Sequence, residues 1–138
     1  MKSDTIVYSS VIDACGKAGD SERAMEVFQR MRLRGIKPHL VTYSALARPF
    51  AYRGQWREVE ELALQMQSEG HRANDYFIYA QLLAYATAKP KQSERAELCM
   101  REAVESGVLP NEHMFNGLSR AVGRKRAHEL CQELGHSF

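Results

Sequence analysis

Two histidines and a cysteine near the end of the chain are residue types that bind metal ions. His128 and Cys131 lie three positions apart, which places them on one turn of a helix, and His136 follows closely. A zinc site needs three or four ligands with supporting hydrogen bonds. Because Cys131 also falls on an apolar helical stripe, we expect it to be buried in the core, and we predict no metal site.

Motifs for catalysis are missing from the sequence. It contains no nucleophile elbow, phosphate-binding loop or His-Glu zinc motif, and its Ser, His and Glu residues form no compact cluster. Cys15, Cys99 and Cys131 are spaced as in neither a metal site nor a disulfide framework, which favours a reducing compartment. We therefore expect a protein that is not an enzyme, needs no cofactor and takes no small-molecule substrate.

Basic side chains are the remaining type with useful chemistry, since they bind phosphates. The 138 residues carry 19 Lys and Arg against 17 Asp and Glu, and a net charge of +2 does not separate nucleic-acid from protein partners. Arg30, Arg32 and Arg34 are predicted to lie on a solvated outer helix face. The run 124–126 is predicted to be an exposed basic turn, with a phosphate contact or a localisation signal as the alternative.

Apolar stripes that recur along the chain predict the elements that position these residues. A first stripe at helical spacing returns at offsets of 35, 36 and 36 residues, and each is followed by a second stripe. The first stripes are Tyr8, Val11, Ile12, Cys15; Tyr43, Leu46, Ala47, Phe50; Tyr79, Leu82, Leu83, Ala86; and Phe115, Leu118, Ser119, Val122. No stretch alternates with the period of a strand, so the sequence predicts an all-α fold without a β-sheet.

Eight helices follow from these stripes. We predict them near 5–17, 21–34, 40–53, 56–69, 76–88, 93–106, 112–122 and 124–134. The residues predicted to cap them are Asp4, Asp20, Ser93 and Asn111 at N-termini, and Gly35, Gly70 and Gly107 at C-termini. Pro49 is predicted to lie inside the third helix and bend it, and Pro90 to end the fifth at residue 88 or 89. Trp56 is predicted to pack between repeats.

Composition and the N-terminus limit where such a chain resides. Apolar residues make up 44% and charged residues 26%, as in soluble globular proteins, and no apolar run approaches the roughly 18 residues of a membrane span. Residues 1–4 have neither an apolar signal core nor the composition of a transit peptide, so we expect no targeting peptide in this sequence.

The two-helix period of 35 residues and several fixed residue types resemble the pentatricopeptide repeat family. The stretch from Thr5 to Asp20, continuing through Ala24–Arg32 to Gly35 and Pro38, carries the resemblance most closely. The resemblance implies a right-handed α-solenoid with first helices on its concave side and second helices on its convex side. It implies one domain over 1–138, with repeats at about 5–39, 40–74, 76–111 and a shortened one at 112–135.

The resemblance also implies a function, because the family binds single-stranded RNA at one base per repeat. The residues that it assigns to base specificity are Ser9, His39, Ser44, Asn74, Ala80, Asn111 and Asn116. The residues that it assigns to sandwiching the bases are Ile6, Val41, Phe77 and His113. The pair Ser44 and Asn74 resembles the family's adenine-preferring combination. Lys17 and Arg53, at the ends of first helices, are candidates for phosphate contacts.

A protein scaffold is the alternative function. An α-solenoid with degenerate specificity residues can bind a protein helix or belong to a larger assembly, such as an organellar ribonucleoprotein. The low net charge and the residues Ala80 and His39 favour this alternative. Because no polar helix precedes the first repeat, we expect an apolar face there that takes further repeats or another chain. The family implies a mitochondrial or plastid location.

Overall fold

The computed structural model describes the backbone of residues 2–138 and the side chains from Asp4 onward. The described chain folds into eight helices: α1 (Lys2–Lys17), α2 (Ser21–Leu33), α3 (Leu40–Tyr52), α4 (Trp56–Ser68), α5 (Asp75–Thr87), α6 (Ser93–Glu105), α7 (Glu112–Val122) and α8 (Arg124–Glu133). No strand occurs within residues 2–138. The all-α prediction is confirmed, and most helix ends lie within about one residue of their predicted positions.

The helices form two layers. The first helices of the repeats pack side by side, α1 on α3, α3 on α5 and α5 on α7, while each second helix packs on the first helix of its own repeat. The first helices therefore have one face against the second-helix layer and one face open to solvent. That open face is the one that the family resemblance assigns to the concave side of the solenoid.

Helix α5 joins two halves of the core. Phe77 and Leu83 pack with the apolar residues of the first two repeats, and Leu82 and Tyr85 pack with those of the last two. Trp56 contacts both clusters, and its ring centroid lies 6.2 Å from that of Tyr85. The predicted packing role of Trp56 between repeats is confirmed.

Two of the four predicted N-caps are confirmed. Asp20 caps α2 by accepting from the backbone N–H of Arg23 at 3.0 Å, and Asn111 caps α7. Asp4 lies inside α1, because that helix begins at Lys2, and its cap assignment is wrong. Ser93 is the first residue of α6 rather than its cap, and its hydroxyl instead donates to the carbonyl of Ala121 at 2.7 Å.

The glycine helix stops are confirmed, and the predicted end of α5 is one residue too late. Gly35, Gly70 and Gly107 all have positive φ, the left-handed conformation that ends a helix without a Cβ clash. Pro49 lies buried inside α3, and α5 ends at Thr87, one residue before the predicted range.

The three cysteines are buried and free, as their positions on apolar stripes predict. Burial, together with the nearby carboxylates of Glu102 and Glu60, raises the pKa of Cys99 to about 12. Its thiol therefore stays protonated at neutral pH and serves the core.

Arg32 corrects the prediction of a merely solvated arginine face. Its guanidinium bonds both the Tyr43 hydroxyl, at 3.1 Å, and the Glu69 carboxylate, and Tyr43 donates to Glu69 at 2.6 Å. Burial and the bond to Glu69 raise the pKa of Tyr43 to about 12. Arg34 likewise donates to the hydroxyl of Tyr8 at 2.9 Å. These arginines tie the outer helices to tyrosines of the first helices.

Candidate nucleic-acid interface

A groove of about 450 Å³ runs across the concave side and is lined by residues of α1, α3, α5 and α7, together with the caps Asn74 and Asn111. We call it the concave groove. Six of the residues assigned to base contacts line it: Val41, Ser44, Asn74, Ala80, Asn111 and His113. The fold therefore brings together side chains from three successive repeats that are about 35 residues apart in sequence.

The second repeat presents an open polar pair to this groove. Asn74 is the N-cap of α5, and its Oδ1 accepts from the backbone N–H of Phe77 at 3.0 Å. Within the described side chains, the Nδ2 of Asn74 has no hydrogen-bond partner. Ser44 donates to the carbonyl of Leu40 at 3.2 Å, which leaves its oxygen able to accept. One donor and one acceptor thus face the same space.

Exposed side chains flank that pair. Val41, on α3, and Tyr76, on α5, are each 69% exposed, and both line the groove. They stand two residues after the helix caps His39 and Asn74, so they occupy equivalent positions in successive repeats. An apolar and an aromatic side chain in the same groove as a polar pair suit a flat heterocyclic ring.

The third repeat corrects the sequence-based register. Phe77 has no exposed surface and lies in the core, so it does not face the groove as predicted. Ala80 lines the groove but is 6% exposed, at its floor. Counted from the cap Asn74, the positions equivalent to Val41 and Ser44 are Tyr76, which is exposed, and Tyr79, which is partly buried. Each lies one residue earlier than predicted. The cap spacing found in the second repeat was the signal that locates these two tyrosines.

Tyr79 and His113 form an aromatic wall in the third repeat. Their ring centroids lie 5.9 Å apart with planes at 69°, an edge-to-face contact that is stabilising for such rings. His113 is the exposed residue of α7 that follows the cap Asn111 by two positions. The third repeat therefore presents aromatic surface where the second repeat presents Ser44.

Five of the assigned residues lie outside the concave groove. Phe77 is in the core, and the others are Ile6, Ser9, His39 and Asn116. The Ser9 hydroxyl already pairs with that of Thr42 at 2.7 Å, which directs it toward α3. Ile6, on α1, is 64% exposed beyond the end of the groove.

The two phosphate-contact candidates differ in their contacts. Lys17 has 69% of its side chain exposed and forms a surface ion pair with Asp13 at 3.2 Å. Arg53 donates to the carbonyl of Gly19 at 2.8 Å and to the hydroxyl of Ser21 at 3.2 Å. Arg53 therefore joins the second repeat to the turn of the first, while Lys17 remains accessible.

The basic run at 124–126 is divided between structure and solvent. Arg126 donates to both carboxylate oxygens of Glu97, at 3.0 and 2.8 Å, and this pairing lowers the pKa of the Glu97 carboxyl. Lys125 is exposed, and the Arg124 guanidinium lies 6.0 Å from the centroid of the Phe115 ring. Arg126 thus links α8 to α6 instead of forming part of an exposed basic turn.

The histidine and cysteine near the C-terminus serve packing. The ring of His128 lies 4.7 Å from that of Phe115, and Cys131 is 2% exposed. Among the described side chains, no group of three or more His, Cys, Asp or Glu is arranged to hold a metal ion.

The sequence and the fold both match known proteins. A model of the PPR repeat family matches residues 3–52. A chloroplastic pentatricopeptide repeat-containing protein of Arabidopsis thaliana is 27% identical over 123 residues, 89% of this chain and 16% of that protein. A mitochondrial one from the same plant is 25% identical over 118 residues, 86% of this chain and 28% of that protein. The resemblance to the pentatricopeptide repeat family is confirmed.

The pentatricopeptide repeat fold is confirmed by a solved structure. The crystal structure of the pentatricopeptide repeat protein PPR10 in complex with an 18-nt psaJ RNA element superposes with a TM-score of 0.82 at 22% identity. The match covers 97% of this chain and 20% of that one. The chain thus spans about a fifth of PPR10 and similarly small parts of the curated relatives it matches. None of the helices described here is both long and apolar enough to cross a membrane.

Proposed function

We propose that this chain binds single-stranded RNA in the concave groove, at about one base per repeat. The observation that carries the proposal is the second-repeat site, where the free amide of Asn74 and the hydroxyl of Ser44 line the same groove as the exposed side chains of Val41 and Tyr76. A base stacked on Tyr76 places its edge against that donor and acceptor, and stacking contributes about 1–3 kcal/mol per base.

The other assigned residues extend this proposal along the solenoid. Ile6 and His113 continue the line of Val41 and Tyr76 and would contact neighbouring bases. The residues that complete the proposed set of edge contacts are Ser9, His39 and Asn116. We propose that Lys17 binds phosphate, since its ammonium group is accessible, and that Arg53 has a structural role.

The proposal also covers the domain organisation, the mode of action, the cellular location and the class of partner. We propose that the four repeats form one domain that acts by binding and not by catalysis. Because one matched relative is chloroplastic and another mitochondrial, we propose that the protein acts in an organelle. The RNA-bound PPR10 neighbour supports RNA as the partner class.

Fluorescence anisotropy tests the proposal directly. The purified chain is titrated into short labelled poly(A), poly(U), poly(C) and poly(G) at several salt concentrations. We expect binding that favours adenine and weakens with salt by about 0.7 log units per log unit of salt for each phosphate contact. No binding to any of the four at low salt contradicts the proposal.

A protein scaffold remains the second candidate, and a specific observation favours it. The convex side has an open crevice of about 1020 Å³ between α4 and α6, beside the exposed side chains of Leu64 and Leu98. On α1, Val7 and Val11 are 58% and 41% exposed, so the predicted apolar face of the first repeat is present. A chain that fails to bind RNA but is captured by a protein partner through these surfaces would support the scaffold.

A further inference from the structure

The side-chain amide of Asn111, in the third repeat, forms hydrogen bonds through both its oxygen and its nitrogen. Among the described side chains, the amide of Asn74, in the second repeat, is bonded only through its oxygen. The Oδ1 of Asn111 accepts from the backbone N–H of Met114 at 2.9 Å, as expected for a helix cap. Its Nδ2 donates to the Oδ2 of Asp75, also at 2.9 Å. The carboxylate thereby fixes the direction of the amide and places a negative charge beside it in the concave groove.

The second repeat lacks this arrangement because of one residue. Asp75 is the first residue of α5, and the first residue of α3 is Leu40. A leucine side chain offers no acceptor, so the Nδ2 of Asn74 stays without a partner among the described side chains. The two caps thus form the same bond to their own helices, and the residue at the start of the preceding first helix decides whether the amide nitrogen is also bonded.

The remaining surface of the third repeat suits stacking. Tyr76 is largely exposed, and Tyr79 packs against His113. An aromatic face accepts any base, because every base has a π surface. Edge recognition instead needs a donor or acceptor that is free to turn toward the base.

We infer that Asp75 determines specificity by withdrawing Asn111 from base recognition, so that the third repeat holds a base by stacking without selecting it. This inference rests on the proposed binding of RNA in the concave groove. Asp75 acts as a positioning residue, since it works through Asn111. The second repeat then supplies most of the chain's base selectivity.

A substitution scan on both protein and RNA tests this inference. The RNA set is a short oligoadenylate in which each position in turn carries U, C or G, and the dissociation constant is measured for every member. For the native chain we expect one position at which replacement weakens binding. Asp75→Leu, which copies Leu40, is expected to add an adjacent selective position, with a discrimination of about threefold to tenfold from one freed hydrogen bond.

Three further variants complete the test, and the first of them separates the hydrogen bond from the charge. Asp75→Asn removes the negative charge but keeps an oxygen that can accept from Asn111, so we expect the native profile with uniformly tighter binding. Glu112→Leu makes the same change at the first residue of α7, where no side-chain partner is observed in the described chain, and is expected to add no selective position. Asp75→Ala serves as a second bond-free variant, and circular dichroism confirms the fold of each.

The outcomes distinguish this inference from the proposed function. If the native chain selects a base at one position while Asp75→Leu and Asp75→Ala keep its profile, the inference is wrong and RNA binding stands. An added selective position in Glu112→Leu or Asp75→Asn also overturns it. If the native chain binds none of the RNAs, the proposed function and the inference both fail.

Discussion

The second and third repeats present the same residue type to the concave groove in two different states. Asn74 and Asn111 both cap a first helix through Oδ1, at 3.0 and 2.9 Å from the backbone nitrogen. The amide of Asn74 is otherwise free among the described side chains, whereas that of Asn111 donates to Asp75. The residue type at a repeat position therefore does not determine its chemistry, because the neighbouring repeat decides whether the side chain is available.

The comparison extends to the rings beside each asparagine. Ser44 in the second repeat leaves room for a base edge, while Tyr79 in the third fills the equivalent place and packs on His113. The first site combines stacking with polar recognition, and the second offers stacking alone. Our predictions test this contrast.

The largest expected effect is on stability, at the close backbone contact between the turn after α3 and the end of α5. Gly54, in the turn after α3, has a φ of +70°, and a Cβ there would lie 2.8 Å from the backbone nitrogen of Ala88. Because backbone atoms cannot move aside cheaply, Gly54→Ala is expected to lower the free energy of unfolding by about 3 kcal/mol. Urea denaturation measures this loss.

A matched glycine controls for backbone conformation. Gly19 occupies the equivalent turn of the first repeat with a φ of +74°, but nothing lies within 4 Å of its added Cβ. Gly19→Ala is expected to cost about 1 kcal/mol from the left-handed conformation alone. Equal losses for the two variants would show that the close approach to Ala88 adds nothing to the cost of the substitution.

The next prediction compares the adenine preference of variants at the two N-cap residues, Asn74 and Asn111. Serine keeps an oxygen that accepts the capping bond but lacks the amide donor. Asn74→Ser is therefore expected to lower the preference for adenine about fivefold, the effect of about 1 kcal/mol for one lost hydrogen bond. Asn111→Ser is expected to leave base preference within about twofold, because its amide is already bonded.

Anisotropy with the four homopolymers measures both caps. Thermal melts should show the two variants folded, with Asn111→Ser losing the bond to Asp75 in addition. A loss of adenine preference in Asn111→Ser that equals the loss in Asn74→Ser would remove the contrast.

A smaller effect is expected on the affinity for RNA of any sequence. Lys17 is the accessible phosphate candidate, so Lys17→Ala should weaken every RNA to a similar degree and reduce the salt slope by about 0.7. Lys125→Ala, an exposed lysine at the opposite end of the chain, is the control and should change neither quantity. A base-dependent change in Lys17→Ala would mean that this lysine touches base edges.

The smallest effect concerns the ion pair that holds α8 to α6, next to the third repeat. The bonds from Arg126 lower the pKa of the Glu97 carboxyl in the folded chain, although burial opposes this. Its contribution to stability is thus present above the ordinary carboxyl pKa of about 4.3 and is lost as the pH falls through the lowered folded value. We expect Arg126→Gln to lose less stability on acidification than the native chain.

Urea denaturation between about pH 5 and pH 2 measures that difference. Arg124→Gln is the control, because Arg124 faces the Phe115 ring and forms no ion pair in the described structure. The same acid-dependent loss in all three proteins would exclude a stabilising role for the Glu97 pair.

Local patterns predicted most of the fold. The stripes located α2 at 21–34, against Ser21–Leu33 in the structure, because its apolar positions recur at one helical spacing between Asp20 and Gly35. The start of α1 was misplaced since Asp4, a good capping residue, lies within the helix.

The register of the third repeat was less accessible to sequence reasoning. Helix α5 is buried on both sides, with Phe77, Ile78, Leu82 and Leu83 all in the core, so its apolar pattern fits two registers one residue apart. The bond between Asp75 and Asn111 was beyond a period-based prediction, because it depends on a residue that breaks the repeat pattern.

The most direct test of RNA binding in the concave groove is photocrosslinking. A short oligoadenylate with one 4-thiouridine is bound to the chain and irradiated, and the crosslinked tryptic peptides are identified by mass spectrometry. We predict crosslinks in the peptide that begins after Arg72 and carries Tyr76 and Tyr79. Crosslinks confined to α4 and α6, around Leu64 and Leu98 on the convex side, would contradict RNA binding in the concave groove.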